Sequence, residues 1–321
     1  MSEKRELGDF LKDVRHVAIA GHVNPDGDCI GSCMGTWLYL RDNYPEIRAD
    51  VYLESYRNVF GFIRGLEQAR DTLNTNASCD LLILLDISSR DRIGVAGPLL
   101  ERTSKTLCFD HHVTNPGGYT WFFNRPEASS ASEVVLQFMY QDKISTDCAA
   151  ALYTGIVHDT GVFRYSSTSP ETLRAAACLM EKDIPFSQII DQSWSQKSWE
   201  QNRALGHALE NSRRYSGGRL VMGSLSNEEM NSLQVTGKDM DGIVEALRDT
   251  IGAEASAFLY EHHPGECKVS LRSRETADVS VIAQSFGGGG HVRAAGCTIR
   301  EPLQKAYDQV LQAFASCFPE E

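Results

Sequence analysis

Aspartate and histidine side chains recur directly after the apolar segments in the first half of this sequence. Residues 17–20 are followed by Gly21-His22-Val23-Asn24-Pro25-Asp26-Gly27-Asp28, and the aliphatic run over 81–85 is followed by Asp86. Residues 107–109 lead into Asp110-His111-His112, and an alanine-rich segment over 147–157 leads into His158-Asp159-Thr160-Gly161. Ligands of open α/β sheets bind at the carboxyl ends of the strands. We therefore expect these side chains to converge in space.

Each of these side chains has a simpler explanation when it is taken alone. Asp28 could cap the helix that follows it, Asp86 and Asp159 could be turn residues, and the paired histidines could lie in an exposed loop. Taken together, they would crowd like charges into one cleft, and that crowding is costly unless a cation neutralises it. The pattern of all four motifs therefore favours bound metal ions.

The types of ligand narrow the choice of metal. Imidazole and carboxylate groups without thiolate disfavour calcium and structural zinc. They favour Mn²⁺, with Mg²⁺, Fe²⁺ or Co²⁺ as alternatives. Six side chains exceed what one catalytic ion needs, because such an ion keeps open positions. The sequence therefore predicts two ions that share one bridging carboxylate.

Strand and helix patterns alternate in the first half of the chain. Strands are predicted over 17–20, 81–85 and 107–109, because continuous aliphatic runs are typical of buried parallel strands. Helices are predicted over 132–140 and 147–157 and around Ile30, Met34, Trp37 and Leu38, which share one helical face. This alternation predicts an α/β fold with an N-terminal doubly wound parallel sheet.

The second half predicts a smaller α/β domain with a mixed sheet. Strands are predicted over 219–225, 255–261 and 267–272, and helices over 240–250 and 279–286, with a turn at Pro264-Gly265. A segment with Trp194 and Trp199 predicts a connecting helix over 191–214. The chain length suits two domains, and we place them at 1–190 and 215–321, on either side of that helix.

Composition excludes several classes of function. The 31 Lys and Arg residues against 43 Asp and Glu give a net charge of −12, which argues against a protein that coats long duplex nucleic acid. An 18-residue apolar run, as a membrane span requires, does not occur in the sequence. The charged first residues do not resemble a secretory signal, and the nine cysteines are scattered without a CxxC pair. These features predict a cytoplasmic protein with free thiols and no membrane partner.

The motifs resemble those of the DHH/DHHA1 phosphoesterases. Four segments resemble the DHH motifs: His22-Val-Asn-Pro-Asp26-Gly-Asp28-Cys-Ile-Gly31-Ser32, Asp86, Asp110-His111-His112 and Asp159-Thr-Gly161. Phe286-Gly-Gly-Gly-Gly-His291 with Ala294-Ala295-Gly296 is similar to the DHHA1 substrate domain. These segments span 22–296, and the short two-domain layout is most similar to the nanoRNase/pAp phosphatase (NrnA-like) group. The longer RecJ exonucleases carry additional domains.

The resemblance implies a role for each motif residue. His22, Asp26 and Asp86 would hold a first Mn²⁺, and Asp28, Asp86, His111 and Asp159 a second. Asp110 would orient a ligand histidine by a hydrogen bond, and His112 would bind the scissile phosphate or assist proton transfer. Near the glycine tract, a clamp on the terminal nucleotide is predicted from Arg272, Arg274, Gly288, Gly289, Gly290 and His291, since glycines let backbone N–H groups approach an anion.

These assignments lead to an expected function and leave alternatives open. We expect a Mn²⁺-dependent exoribonuclease that degrades short oligoribonucleotides to 5′-mononucleotides, with adenosine 3′,5′-bisphosphate (pAp) as an additional substrate. A phosphodiesterase for cyclic dinucleotides such as c-di-AMP, or for their linear product pApA, is not separated from it by the motifs. A DHH-type pyrophosphatase fits less well because its second domain lacks the glycine-rich His tract. A non-catalytic nucleotide- or RNA-binding module would not need six metal ligands. The resemblance also makes a homodimer an expectation.

Overall fold

The computed structural model of the chain describes residues 5–54, 56 and 58–318. Its elements fall into two units, Met1–Gln196 and Lys197–Glu321. In the described part of the chain, no helix combines the length and the apolar character needed to cross a membrane.

Five parallel strands form the sheet of the N-terminal unit. They are β1 (His16–Ala20), β2 (Arg48–Tyr52), β3 (Leu81–Leu85), β4 (Thr106–Asp110) and β5 (Trp121–Asn124). Their order is β2-β1-β3-β4-β5, and every neighbouring pair is parallel. The three predicted strands are β1, β3 and β4, and they are adjacent in the sheet. Their carboxyl ends, where the predicted ligands begin, therefore meet at one edge.

Helices cover one face of this sheet. They are α1 (Gly27–Asn43), α2 (Ala131–Leu136), α3 (Thr146–Asp159), α4 (Pro170–Met180) and α5 (Phe186–Ile190). The largest core cluster joins α1 and α3 to residues such as Val17, Ile19 and Ile83. The opposite face carries Leu82, Leu84 and Cys108, and short 3₁₀ turns and loops bury these side chains in place of α-helices. Both faces are thus buried, as a central parallel sheet requires.

The C-terminal unit has a six-stranded mixed sheet. Its strands are β6 (Arg213–Tyr215), β7 (Leu220–Leu225), β8 (Ala255–His263), β9 (Glu266–Ser273), β10 (Gly289–His291) and β11 (Ala294–Ile299). The order is β10-β11-β9-β8-β7-β6, with β7 parallel to β8 and the other pairs antiparallel. The helices are α6 (Trp199–Glu210), α7 (Asn227–Leu233), α8 (Ile243–Arg248), α9 (Val279–Ser285) and α10 (Leu303–Ala315). The predicted α/β class, with a parallel and a mixed sheet, is confirmed.

The two faces of the second sheet differ in how they are covered. Helices α9 and α10 pack against one face and form a core with Val269, Leu271 and Cys297. On the other face, α6, α7 and α8 pack against β7 and β8 around Val221 and Phe258. On this second face, the side chains of β9 and β11 stay half-buried. These two strands therefore offer an open surface.

The connection between the units differs from the single helix predicted over 191–214. A π-helical turn over Asp191–Ser195 ends in extended backbone at Gln196. Ser198 then caps α6: its hydroxyl accepts from the N–H of Gln201, whose side chain accepts from the N–H of Ser198. This capping box starts a new helix. The predicted helix is therefore wrong in extent, because α6 ends at Glu210 and Arg213 begins a strand.

Candidate metal centre

The first motif uses its two aspartates for different tasks. Asp26 is the N-cap of α1, and its Oδ1 accepts from the N–H groups of Asp28 and Cys29, both at 3.1 Å. Asp28 is fully buried, and its carboxylate accepts from the N–H groups of Ala131 at 2.6 Å and Ser132 at 3.0 Å. The simple explanation that Asp28 caps its own helix is therefore wrong. Asp28 instead fixes the start of α2 to the centre.

Asp86 lies between two groups of candidate ligands. Its Oδ2 is 3.3 Å from His22 Nε2, and that nitrogen is 3.7 Å from Asp26 Oδ1. Its Oδ1 is 3.4 Å from His111 Nε2, and that nitrogen is 3.1 Å from Asp159 Oδ2. Donor atoms of Asp28, His111 and Asp159 also lie within 4.8 Å of one another. The structure thus brings all six predicted ligands together, with one oxygen of Asp86 facing each group.

The local backbone and burial show that Asp86 is held in place. Its φ of 58° lies in the left-handed region, which is uncommon for a residue other than glycine. Only 2% of its surface is exposed. Strained backbone persists where the surrounding structure over-determines it, often at functional sites. The aspartate is therefore fixed at the end of β3 with both oxygens directed into the cluster.

Two buried atoms of this cluster that could bind a metal ion make no hydrogen bond. Among residues 5–54, 56 and 58–318, Asp86 Oδ1 and His111 Nε2 have no hydrogen-bond partner. This holds although His111 Nε2 lies close to two carboxylate oxygens, because the alignment is not that of a hydrogen bond. Buried polar atoms without partners are costly. Lone pairs that point towards a shared space fit a divalent cation.

The orientation of His22 is typical of a metal ligand. Its Nδ1 donates to the carbonyl oxygen of Val23 at 2.8 Å. Such a bond fixes the tautomer and leaves Nε2 free to act as a ligand. Arg92, which the sequence reasoning missed, lies beside this histidine with Nη2 3.3 Å from Nδ1.

The electrostatics of the cluster favour cations. Burial and the charges of neighbouring carboxylates raise the pKa of Asp28 well above its usual range, and burial raises the pKa of Asp159 to about 6. Burial opposes charge on His22 and His111, but the adjacent carboxylates outweigh it and raise the pKa of each to about 12. Without a cation, the cluster would balance its charge by binding protons. Divalent cations would replace those protons.

Asp110 contacts His112, which is not one of the predicted metal ligands. Its Oδ1 accepts from His112 Nδ1 at 2.9 Å, and its Oδ2 accepts from Asn115 Nδ2 at 2.7 Å. Asp110 is fully buried, whereas 31% of the His112 side chain is exposed. The expectation that Asp110 orients a ligand histidine is therefore corrected: it orients His112 and leaves Nε2 of that ring available.

No role at the centre was predicted for Cys29, Gly31 or Gly155. Cys29 Sγ lies within 4.8 Å of donor atoms of His22 and Asp86, so a thiol is present beside the nitrogen and oxygen ligands. A Cβ at Gly155 would lie 2.5 Å from Asp28 Oδ1, and a Cβ at Gly31 would lie 2.7 Å from the backbone nitrogen of Gly155. These glycines allow α1 and α3 to approach closely. A glycine inside a helical pattern was the available signal.

The predicted clamp residues lie in the C-terminal unit and are only partly brought together. Arg272 pairs with Ala294, and Ala294 with His291, so these three residues share one face of the sheet. Arg272 Nη2 lies 2.8 Å from Glu245 of α8. Arg274 follows β9 and donates to the carbonyl oxygens of Ala253 and Arg248, each at 3.1 Å. Its guanidinium is thus held by the last residue of α8 and by the segment after it, and 45% of the side chain is exposed. Its part in the clamp stays a prediction.

The glycine run is also more constrained than a flexible cradle. Gly289 to His291 form strand β10, which pairs with β11. A Cβ at Gly288 would lie 2.2 Å from the carbonyl oxygen of Gly296, and Gly290 has a φ of 143°. Gly288 and Gly290 are therefore required by this hairpin. A Cβ at Gly289 would meet no heavy atom of the described residues within 4 Å.

Comparisons with known proteins agree with this geometry. The model of the DHH family N-terminal domain matches residues 16–156, and that of the DHHA1 domain matches residues 221–320. A bifunctional oligoribonuclease and PAP phosphatase NrnA of Thermus thermophilus is 32% identical over 314 residues, which cover 96% of this chain and 92% of that protein. The protein of the same name from Bacillus subtilis is 26% identical over 313 residues, covering 92% and 93%.

A solved structure shows the same fold over nearly the whole chain. It is that of an exopolyphosphatase-related protein from Bacteroides fragilis, with a TM-score of 0.87 and 24% identity, and the match covers 97% of this chain and 95% of that one. From the two domain matches and the full-length relatives, the chain belongs to the DHH/DHHA1 phosphoesterase family, in its NrnA-like group.

Proposed function

We propose that this chain is a divalent-cation-dependent phosphoesterase that hydrolyses short oligoribonucleotides to 5′-mononucleotides and removes the 3′-phosphate of pAp. The observation that carries the proposal is the position of Asp86, whose two oxygens face two separate groups of donor atoms. The names of the full-length relatives, oligoribonuclease and PAP phosphatase, support the choice of substrates. The net charge of −12 supports short rather than long nucleic acid as substrate.

The donor set fits two divalent cations, and Mn²⁺ suits a mixture of imidazole and carboxylate. The first would be held by His22, Asp26 and Asp86, and the second by Asp28, Asp86, His111 and Asp159. When bound, such ions lower the pKa of a water and offset charge on phosphate oxygens. The chain's own part is to hold the donors rigidly, since Asp86 and Asp28 are nearly inaccessible to solvent.

His112 and Asp110 are proposed to act on the substrate together. Asp110 accepts from Nδ1, so the partly exposed Nε2 of His112 can contact the phosphate or pass a proton to the leaving oxygen. Burial opposes charge on His112, but the bond to Asp110 and the charge of Asp86 raise its pKa. Asp110 is a positioning residue, because it acts through the histidine.

The C-terminal unit is proposed to bind the terminal nucleotide. Arg272 and His291 share a face of the sheet and offer groups that can bind a phosphate. The guanidinium of Arg272 is held by Glu245, at 2.8 Å, and 26% of the Arg272 side chain remains exposed. A Cβ at Gly289 would meet no heavy atom of the described residues within 4 Å, so this position has room for an approaching anion. These three residues form the terminal-nucleotide site used below.

Replacement of Asp86 by Asn tests this function. An amide cannot bridge two cations as a carboxylate does, so we expect turnover of pApA, a labelled trinucleotide and pAp to fall by at least about 10³-fold. Calorimetry with Mn²⁺ should give two bound ions in the parent protein and fewer in the variant. Asp91→Asn is the matched control, because Asp91 is an exposed carboxylate on the same connection between β3 and β4.

The substrate panel also decides between the alternatives. The parent protein should hydrolyse the trinucleotide and pAp with Mn²⁺, and it should act more slowly on c-di-AMP. Undiminished turnover by the Asp86→Asn variant would refute the assignment of the centre. Preferential hydrolysis of c-di-AMP would refute the assignment of the substrate.

A further inference from the structure

A polar groove lies on the open face of the second sheet, beyond the terminal-nucleotide site. Its volume is about 790 Å³, within the range of small-molecule sites. Strands β8, β9 and β11 and the segment before α8 line it. Its lining includes Tyr260, Lys268, Gly288, Gly296, Thr298 and Arg300.

The strand register places this groove in line with the terminal-nucleotide site. Cross-strand partners point to the same face. Arg272 and His291 occupy one row across the sheet, Ser270 lies opposite Gly296 in the next row, and Lys268 lies opposite Thr298 in the third. Alternate residues of a strand are roughly 7 Å apart, so Lys268 lies roughly 13 Å along β9 from Arg272. One continuous strip thus runs from the first row to the third.

The far end of the strip carries two cationic side chains. Lys268 Nζ lies 2.9 Å from Thr298 Oγ1, a neutral partner that leaves its charge uncompensated by that contact. Arg300 is 86% exposed, and its contact with Glu266 is long, at 3.6 Å. Asp241 adds one carboxylate on the rim of the groove. The ammonium of Lys268, which contacts a hydroxyl, and the exposed guanidinium of Arg300 are groups that can bind phosphates.

The middle of the strip offers a flat surface and an aromatic ring. Gly296 and Gly288 leave the floor without side chains, so a ligand can lie against the backbone. Tyr260 is half-buried and pairs with Lys268 across β8 and β9. Aromatic rings combined with a positive groove are the features that bind single-stranded nucleic acid without sequence preference.

We propose that this groove binds the nucleotides of an oligoribonucleotide beyond the terminal one, with Lys268 and Arg300 contacting phosphates and Tyr260 stacking on a base. The inference rests on the proposed function and adds a basis for chain-length preference to it. A single nucleotide such as pAp, bound at Arg272 and His291, does not extend to the third row. Trinucleotides and longer chains do.

The test compares one variant on two substrates. In the double variant Lys268→Ala, Arg300→Ala we expect KM for a tetranucleotide to rise about tenfold or more, while kcat/KM for pAp changes less than about twofold. The dependence of log KM on log salt for the tetranucleotide should weaken by about 0.7 for each lost phosphate contact. Tyr260→Ala should raise KM for the tetranucleotide by about tenfold through lost stacking.

Controls separate this inference from effects on folding. Lys305→Ala removes an exposed lysine of α10 that pairs with Glu301. It should leave KM and kcat/KM unchanged for both pAp and the tetranucleotide. If the alanine at position 268 lowers the unfolding temperature, Lys268→Gln keeps a donor for Thr298 and replaces it in the assay.

Each outcome has a distinct meaning. Equal changes for pAp and the tetranucleotide, or no change for either, would overturn the groove assignment while the parent enzyme remains active on both. Failure of the parent protein to hydrolyse either substrate would instead refute the proposed function.

Discussion

The glycine run offers a test in which neighbouring positions give opposite results. A Cβ at Gly288 would lie 2.2 Å from the carbonyl oxygen of Gly296 and 2.5 Å from the Cβ of Cys297. A Cβ at Gly289 would meet nothing within 4 Å among the described residues, and its φ lies outside the left-handed region. The fold therefore explains Gly288 but gives no reason for Gly289. We attribute Gly289 to the approach of the substrate.

The magnitudes follow from these contacts. Gly288→Ala forces backbone apart and should cost about 1–3 kcal/mol of unfolding free energy. Gly289→Ala should be neutral or stabilise by up to about 1 kcal/mol, since glycine within a strand is the less favourable residue. A methyl group that keeps a phosphate from the N–H of Gly289 removes a charge-assisted hydrogen bond of about 1.5–3 kcal/mol. This corresponds to about a 10- to 150-fold loss in kcat/KM.

Thermal unfolding and steady-state kinetics on pApA measure both quantities. The expected pattern is a stable Gly289→Ala protein with low kcat/KM, and a Gly288→Ala protein with a lowered unfolding temperature. Unchanged kcat/KM in Gly289→Ala would show that no ligand approaches this backbone, and the proposed terminal-nucleotide site would then be wrong.

Three further predictions concern single contacts. Asp110→Asn should lower kcat on pApA by about 10- to 100-fold, because it loosens the orientation of His112. The Mn²⁺ affinity measured by calorimetry should equal that of the parent protein. A lower Mn²⁺ affinity would contradict the proposal that Asp110 acts through His112. Partial burial opposes charge on Glu254, but three backbone N–H groups outweigh it and lower its pKa. The stabilisation is then present above the carboxyl's unfolded pKa and is lost as the pH falls through the lower folded value. Glu254→Gln should therefore cost about 0.5–1 kcal/mol at pH 7, after allowing for partial exposure, and little in acid; an equal cost in urea unfolding at both pH values would refute this. Gly155→Ala should displace Asp28, reduce stability by about 1–3 kcal/mol and weaken Mn²⁺ binding; calorimetry showing parent-like affinity would disprove the close approach.

Much of the fold was predictable because its central strands are buried on both faces. The aliphatic run over 81–85 coincides with β3, and the family and fold class inferred from the motifs are confirmed. β2 and β5 were missed. They are the edge strands of the sheet, where β2 mixes charged and apolar residues and β5 has only four residues. The predicted homodimer and cytoplasmic location stay predictions.

The convergence of the six candidate ligands was predictable from topology, since adjacent parallel strands end at one edge. The hydrogen-bond partners of each ligand were not predictable from the sequence. Asp28 accepts from backbone N–H groups more than a hundred residues away, and no local pattern encodes such a contact. Two adjacent histidines also gave no way to decide which of them Asp110 contacts. In the glycine run, the role of Gly288 depends on a strand that follows it in the chain.

The packing of α1 against α3 explains why glycines accompany the acidic residues of the motifs. A Cβ at Gly31 would lie 2.5 Å from the carbonyl oxygen of Ala151, and a Cβ at Gly155 would lie 2.5 Å from Asp28 Oδ1. The close helix contact brings Asp28, at the start of α1, near Asp159, at the end of α3. Glycine at positions 31 and 155 is therefore required for the geometry of the metal centre. It sets the distance between two carboxylates, whose mutual repulsion a divalent cation would then relieve.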